Sequence, residues 1–205
     1  MTTEVSCQWS VVRLESAECL SVFPLFCILH SAFRVRTGAV VAEVLIQAEG
    51  LSKRYGEGEH AIRVLESLDL EIRRTERVAI VGESGVGKST LLHILGTLDR
   101  PSEGKVLLSG QNLFTLPEPD LAALRNREIG FIFQFHHLLP DFTALENVIF
   151  PAAVRAGRET AAAKARGREL LARVGLESRT DFLATKLSGG QKQRDAIARA
   201  LMNQP

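Results

Sequence analysis

Hydrophobic and polar positions first alternate with the period of a strand and later recur with the period of a helix. Residues 43–51 (EVLIQAEGL) and the alternating stretch at 68–72 predict two strands. The apolar run RVAIVG at 77–82 ends in glycine, which indicates a buried strand that enters a tight turn. Because KSTLLHILGTL at 88–98 has helical spacing, a strand–loop–helix unit is expected here.

Three further segments continue the mixed pattern. GKVLLSGQNL at 104–113 and IGFIF at 129–133 read as strands, with the helical EPDLAALRNR at 118–127 between them. Strands therefore dominate the first part of the chain, which favours an α/β core.

Beyond Asp141 the composition becomes helical. TALENVIFPAAVRA at 143–156 and the alanine-rich stretch at 158–176 predict two helices. Ser188 is a candidate N-cap for a last helix that runs through ARALM. We therefore expect a helical subdomain at about 141–190, carried by the α/β core.

The first forty residues show neither period, and they contain all three cysteines and the one tryptophan. Their apolar run, Cys19–Phe33, is too short to span a membrane and contains Pro24. A membrane-surface anchor is the rival interpretation, but the segment lacks a basic amphipathic face. We interpret residues 1–43 as an extension of doubtful authenticity and 44–205 as the domain.

The charge balance disfavours one class of partner. With 25 basic and 24 acidic side chains the formal net charge is +1, whereas phosphate-backbone binding requires an excess of cations. We therefore expect no nucleic-acid partner. The cysteine-free body suits a reducing cytosol, and any membrane role would come through a partner protein.

The glycine-rich stretch GESGVGKST has the spacing of a phosphate-binding loop, between a predicted strand and a predicted helix. Glycines let the backbone curl so that N–H groups point at phosphate oxygens, at the positive end of the helix. Lys88 can reach the β- and γ-phosphates, and the Ser89 hydroxyl can bind Mg²⁺. The candidate phosphate ligands are Gly82, Glu83, Ser84, Gly85, Val86, Gly87, Lys88, Ser89 and Thr90.

A second glycine-rich helix start follows at LSGGQ. It offers the hydroxyl of a serine and two glycines without side chains but no lysine, which indicates another anion site. An ordinary capped helix with a glycine-rich entry is the alternative for this string alone. The candidate residues are Ser188, Gly189, Gly190 and Gln191.

LSGGQKQR, about 100 residues after the phosphate loop, resembles the signature of ABC-type ATPases. The resemblance implies a P-loop NTPase (RecA-like) ABC core with an antiparallel β part and an inserted helical subdomain, with ATP and Mg²⁺ as cofactors. It implies that Tyr55 stacks on adenine and that Gln134 contacts Mg²⁺ and the attacking water and senses the membrane partner. The signature of one subunit would close over the ATP of a second copy.

FIFQFHHLLPDFTALENV is similar to the LolD-type lipoprotein-releasing ATPases within this family. That similarity implies a homodimer with two LolC/LolE-like membrane subunits that handle lipoprotein, on the cytoplasmic face of an inner membrane. His136 and His137 could suggest a metal site, but no further ligand cluster accompanies them, so a loop that meets the membrane subunit is favoured. Macrolide-export or cell-division systems of the same family are the nearest alternatives.

The sequence also departs from the family. The strand ending in Asp-Glu, the D-loop and the switch histidine would follow Pro205, so the resemblance predicts a fold incomplete at its carboxy terminus that binds ATP but hydrolyses it negligibly. A fragment without function is thus another alternative. Asp195 stands where the family has an apolar residue, and a carboxylate on a half-buried helix face costs a few kcal/mol unless it finds a partner.

Overall fold

The computed structural model describes residues 9–13 and 43–205, which belong to two compact units, Met1–Leu116 and Pro117–Pro205. The six strands are β1 Trp9–Arg13, β2 Val44–Tyr55, β3 Ile62–Arg73, β4 Val78–Gly82, β5 Glu103–Leu108 and β6 Gln111–Asn112. The five α-helices are α1 Lys88–Leu95, α2 Glu118–Glu128, α3 Ala144–Ala156, α4 Ala161–Arg173 and α5 Gly189–Ala200. Short 3₁₀ turns are Gly58–His60, Leu113–Thr115, Glu177–Arg179 and Ala184–Lys186.

The first unit contains an antiparallel four-stranded sheet in the order β3-β2-β5-β6. β2 pairs with β3 and with β5, and the alternation of apolar residues places Leu51, Leu65 and Val106 on its buried face. This is the antiparallel part expected from the sequence. The stretch predicted as one strand at 104–113 is two, because Ser109 and Gly110 adopt φ values of +48° and +80° and turn the chain.

The strand that precedes the phosphate loop lies where the sequence predicts it, but it is not buried. Val81 in β4 is 43% exposed, since β4 pairs with a single neighbour among the described residues. That neighbour is β1, in antiparallel register from Trp9 opposite Gly82 to Arg13 opposite Val78. Trp9–Arg13 therefore form a strand although the first forty residues show no sustained strand period. The apolar run Cys19–Phe33 lies outside the described residues.

Residues 129–133 are not a strand, contrary to the prediction from IGFIF. The alternation there is strand-like, but a strand needs a hydrogen-bonded neighbour, and within 117–205, all of which is described, the pairing is limited to an isolated bridge between Thr143 and Leu183. Gly130 instead packs closely against the end of α5, where an added Cβ would lie 2.6 Å from the carbonyl oxygen of Ala200.

The second unit is a helical bundle in which α3, α4 and α5 pack together. Gly167 in α4 permits the close approach to α3, because an added Cβ would lie 2.6 Å from Ile149 Cγ2 and 2.8 Å from Leu145 Cδ1. The buried core is formed by Ala144, Leu145, Val148, Ile149, Ala163, Leu170, Leu171, Leu176, Leu187, Ala198 and Met202. Within the described residues, no helix has both the length and the apolar character needed to cross a membrane.

Candidate nucleotide-binding site

The phosphate loop connects β4 to α1, and two of its glycines have conformations that a side chain would strain. Gly85 and Gly87 have φ values of +86° and +100°, and Gly87 is the N-cap of α1. A Cβ on Gly87 would lie 2.9 Å from both Cγ1 and the carbonyl oxygen of Val64. Backbone conformation and close packing therefore both require glycine at position 87.

Lys88 is the first residue of α1 and folds back across the loop. Its Nζ donates to the carbonyl oxygen of Gly82 at 2.9 Å and to that of Glu83. The ammonium group thus lies at the mouth of the loop, beside the amides at the positive end of the helix. Ser89 follows with an exposed side chain, which leaves its hydroxyl accessible to a ligand.

Tyr55 ends β2 and is tied to the helix of the phosphate loop. Its hydroxyl donates at 2.7 Å to Oδ2 of Asp99, which lies in the segment that follows α1. Burial raises the pKa of Tyr55, and the hydrogen bond to the Asp99 carboxylate raises it further. The residue is still 43% exposed, so part of its ring is free for a ligand. The structure therefore brings the predicted adenine contact and the phosphate loop together.

Two residues that contact this tyrosine, Lys53 and Asp99, belong to no recognisable sequence motif. Lys53 Nζ forms an ion pair with Asp99 Oδ1 at 2.6 Å and lies 4.7 Å from the centre of the Tyr55 ring. Burial opposes ionisation of Asp99, but the hydrogen bonds from Lys53 and Tyr55 outweigh it and lower the pKa of this carboxyl. The sequence offers one weak signal, which is that Lys53 and Tyr55 are two positions apart on a strand.

The signature residues begin α5 in the second unit, as predicted. Ser188 Oγ accepts from the amide of Gln191, and Gln191 Oε1 accepts from the amide of Ser188 at 2.9 Å, which is a capping box. Gly189 and Gly190 are exposed, and a Cβ on either would meet no atom within 4 Å. Leu187 is buried and anchors the turn. The start of α5 is therefore an accessible helix N-terminus.

Gln134, also in the second unit, lies in an exposed turn. His136 and His137 follow two and three positions later, with φ values of +48° and +47°. This left-handed backbone conformation costs each bulky residue roughly 1 kcal/mol. The Arg199 guanidinium on α5 donates to their carbonyl oxygens at 2.6 and 2.7 Å. This contact connects the signature helix to the segment of Gln134, and neither motif predicts it.

Asp195 on α5 is fully buried, and among the described residues neither of its carboxylate oxygens has a hydrogen-bond partner. Burial raises the pKa of Asp195 from 3.8 to about 7, although the charge of Arg199 lowers it in part. Burial likewise lowers the pKa of Arg199, against the raising effect of Asp195. The sequence placed a carboxylate on an apolar helix face, and the structure shows that this carboxylate is buried without a hydrogen-bond partner among the described residues.

Comparison with known proteins identifies the family. Residues 65–205 match the family described as ABC transporter, which is more than half of the chain. The chain belongs to the ABC transporter family. Its curated relatives include the lipoprotein-releasing system ATP-binding protein LolD 2 of Rhodospirillum rubrum, 60% identical over 161 residues that cover 78% of this chain and 70% of the relative. LolD of Shewanella oneidensis is 53% identical over 163 residues, which cover 80% of this chain and 70% of the relative.

A solved ATP-binding cassette supports the same assignment for the fold. It is a dimer in a post-hydrolysis state bound to ADP and Pi, and it matches this ABC protein with a TM-score of 0.71 at 38% identity, over 78% of this chain and 71% of the other. The predicted resemblance to LolD-type ABC ATPases and the predicted P-loop ABC core are both confirmed. The residue roles, the domain boundaries and the metal remain predictions.

Proposed function

We propose that this chain is the ATP-binding subunit of an ABC transporter that couples ATP hydrolysis to the release of lipoproteins from a membrane. One structural observation supports nucleotide binding. The glycine-rich loop leads into α1, and Lys88 Nζ folds back across it to within 2.9 Å of the carbonyl oxygen of Gly82. The cargo part is supported by similarity to relatives that are named for lipoprotein release. The two parts can be tested separately.

The phosphate loop supplies the groups that would hold the triphosphate. Lys88 would exchange its two carbonyl contacts for phosphate oxygens, which carry full negative charge and attract an ammonium more strongly. The Ser89 hydroxyl and Gln134 would bind Mg²⁺, which prefers oxygen ligands and neutralises developing charge on the phosphates. The Tyr55 ring would stack on adenine. The same loop geometry suits any nucleoside triphosphate, and stacking tolerates any base, so ATP is favoured by the similarity to relatives named as ATP-binding proteins.

Hydrolysis needs a further group that activates water, and we assign this role to none of the residues that the structure describes. The aligned region covers 70% of the relative from Rhodospirillum rubrum.

The exposed start of α5 would contact a second copy of the chain. An accessible helix N-terminus with two glycines can approach the γ-phosphate held by the partner subunit without steric hindrance. Phe135, 77% exposed beside Gln134, is an apolar side chain suited to a contact with a membrane subunit of the LolC/LolE type. These contacts would place the protein at the cytoplasmic face of the inner membrane as a peripheral subunit.

ATP-dependent dimerisation tests this arrangement. We expect MgATP to convert the monomer to a dimer in analytical ultracentrifugation, and Gly190→Asp to abolish the dimer, because a carboxylate there repels the γ-phosphate. The variant should still fold, since a Cβ at Gly190 meets no atom within 4 Å and an acidic residue suits a helix N-terminus.

Gly190→Ala is the matched control, because it adds the same Cβ without the charge and should retain the dimer. Loss of the dimer in both variants would mean that shape alone matters at this position. A dimer that persists in Gly190→Asp would contradict the proposed contact with the partner's phosphate.

A further inference from the structure

The sequence motif identifies Tyr55 as the residue that would hold the base, but it does not explain how a tyrosine at the end of a strand keeps a fixed orientation. The side chain is 43% exposed, and an exposed ring without support samples several rotamers. Ordering such a ring on binding would reduce the affinity. The contacts around Tyr55 address this cost directly.

Asp99 fixes the hydroxyl end of the ring. One carboxylate oxygen, Oδ2, accepts from the Tyr55 hydroxyl at 2.7 Å, and the other, Oδ1, accepts from Lys53 Nζ at 2.6 Å and from the backbone N–H of Arg100 at 2.8 Å. The backbone contact holds Asp99 in turn. The tyrosine oxygen is thus attached to the segment that follows α1, the helix that starts at the phosphate loop.

Lys53 fixes the ring from one side. Its ammonium lies 4.7 Å from the ring centre, within cation–π distance, and also donates to the carbonyl oxygen of Arg100 at 2.7 Å. Only 9% of Lys53 is exposed, so its charge is held in this position by its neighbours. Because the ammonium covers one face of the ring, only the opposite face is available to a base.

We propose that Lys53 and Asp99 are positioning residues that hold Tyr55 as a one-faced platform for the nucleotide base, at a fixed position relative to the phosphate loop. The proposal rests on the proposed function, in which Tyr55 contacts adenine. It goes beyond the proposed function by assigning the orientation of the base to the part-buried ion pair of Lys53 and Asp99. Neither residue touches the nucleotide, so their effect should depend on the presence of a base.

Isothermal titration of the full chain with MgATP and with magnesium tripolyphosphate separates the base from the phosphates. The test variant is Lys53→Met with Asp99→Asn, which removes both charges together and leaves no buried charge unpaired. We expect it to lower the affinity for ATP about tenfold, and to leave the affinity for tripolyphosphate unchanged. Tyr55→Ala should lower the ATP affinity at least as much.

The matched control is Arg54→Met with Glu103→Gln, which removes a neighbouring ion pair of 2.6 Å whose side chains are 47% and 62% exposed. It should leave both affinities unchanged.

If the buried-pair variant, Lys53→Met with Asp99→Asn, binds ATP as the wild type does while Tyr55→Ala binds it weakly, the positioning role is refuted and the proposed function stands. If the buried-pair variant loses tripolyphosphate as well, its role is structural only and the proposal is again refuted. If Tyr55→Ala binds ATP normally, the adenine contact itself is wrong and the proposal fails with it.

Discussion

Replacing Asp195 with valine should raise the free energy of unfolding of the helical unit by about 3 kcal/mol at neutral pH. The carboxylate is fully buried in α5 and lacks a hydrogen-bond partner among the described residues, so folding removes it from water without compensation. Valine has a similar volume and has no polar atom to desolvate. Urea denaturation followed by far-ultraviolet circular dichroism measures the change, since the second unit is mostly helical.

The difference in free energy of unfolding between the wild type and Asp195→Val should depend on pH, and this dependence identifies the carboxylate as the cause of the difference. The folded-state pKa of about 7 lies above the ordinary 3.8, so the native state holds a proton that the unfolded state has lost. The wild type is therefore most stable relative to Asp195→Val at low pH. It should lose stability relative to Asp195→Val as the pH rises from about 4 to 7.

Asp195→Asn is the control for titration. It keeps a polar side chain of the same shape but cannot ionise, so its stability relative to Asp195→Val should not change with pH. A valine variant that is less stable than the wild type at neutral pH, or a stability difference that is independent of pH, would contradict the burial of a carboxylate at this position.

Gly87→Ala should abolish measurable ATP binding and lower the free energy of unfolding of the first unit by about 3 kcal/mol. Alanine at φ +100° is strained, and its Cβ would lie 2.9 Å from the carbonyl oxygen of Val64, which is backbone and cannot rotate away. Relief of this contact must displace the loop from β3, and with it the amides that we propose bind the phosphates.

Gly85→Ala separates backbone strain from the steric clash. Gly85 has a φ of +86°, but a Cβ there meets no atom within 4 Å, so only the strain of about 1 kcal/mol applies. Thermal unfolding and ATP titration of both variants give the comparison. Equal effects from the two substitutions would show that conformation alone, and not packing against Val64, requires glycine at position 87.

Periodicity and motifs predicted the elements whose stability is local. α3 and α5 each begin with a capping box that the sequence shows directly, at Thr143 and at Ser188. The phosphate loop was predicted for a similar reason, because its glycines satisfy a local conformational requirement that a spacing pattern can reveal. All five helices predicted from the sequence are present in the structure.

Features that depend on distant partners could not be predicted in this way. IGFIF alternates like a strand, yet alternation does not supply the neighbouring strand that would pair with it. The positive φ values of His136 and His137 are held by Arg199, 62 and 63 positions away, so no local pattern encodes them. The ion pair of Lys53 and Asp99 spans 46 positions, and charged residues at the ends of a strand and a helix are usually solvated.

Asp195 is the instructive intermediate case. The sequence showed a charge on an apolar helix face, and only the structure could decide whether a partner compensates for it. Arg199, whose charge acts on Asp195, donates to the carbonyl oxygens of His136 and His137 and forms no ion pair with Asp195 among the described residues. The contact that connects the signature helix to the Gln134 segment is therefore the one that leaves Asp195 without a hydrogen-bonding cation.

Isothermal titration of MgATP into the wild-type chain and into Lys88→Met tests the central claim most directly. Methionine keeps the length of the side chain and removes the ammonium that lies at the mouth of the loop. We predict saturable one-to-one binding by the wild type, and a loss of affinity of about a hundredfold or more in the variant. Equal affinity in the two proteins, or no binding by a folded wild-type chain, would contradict the assignment of residues 82–90 as the site of ATP binding.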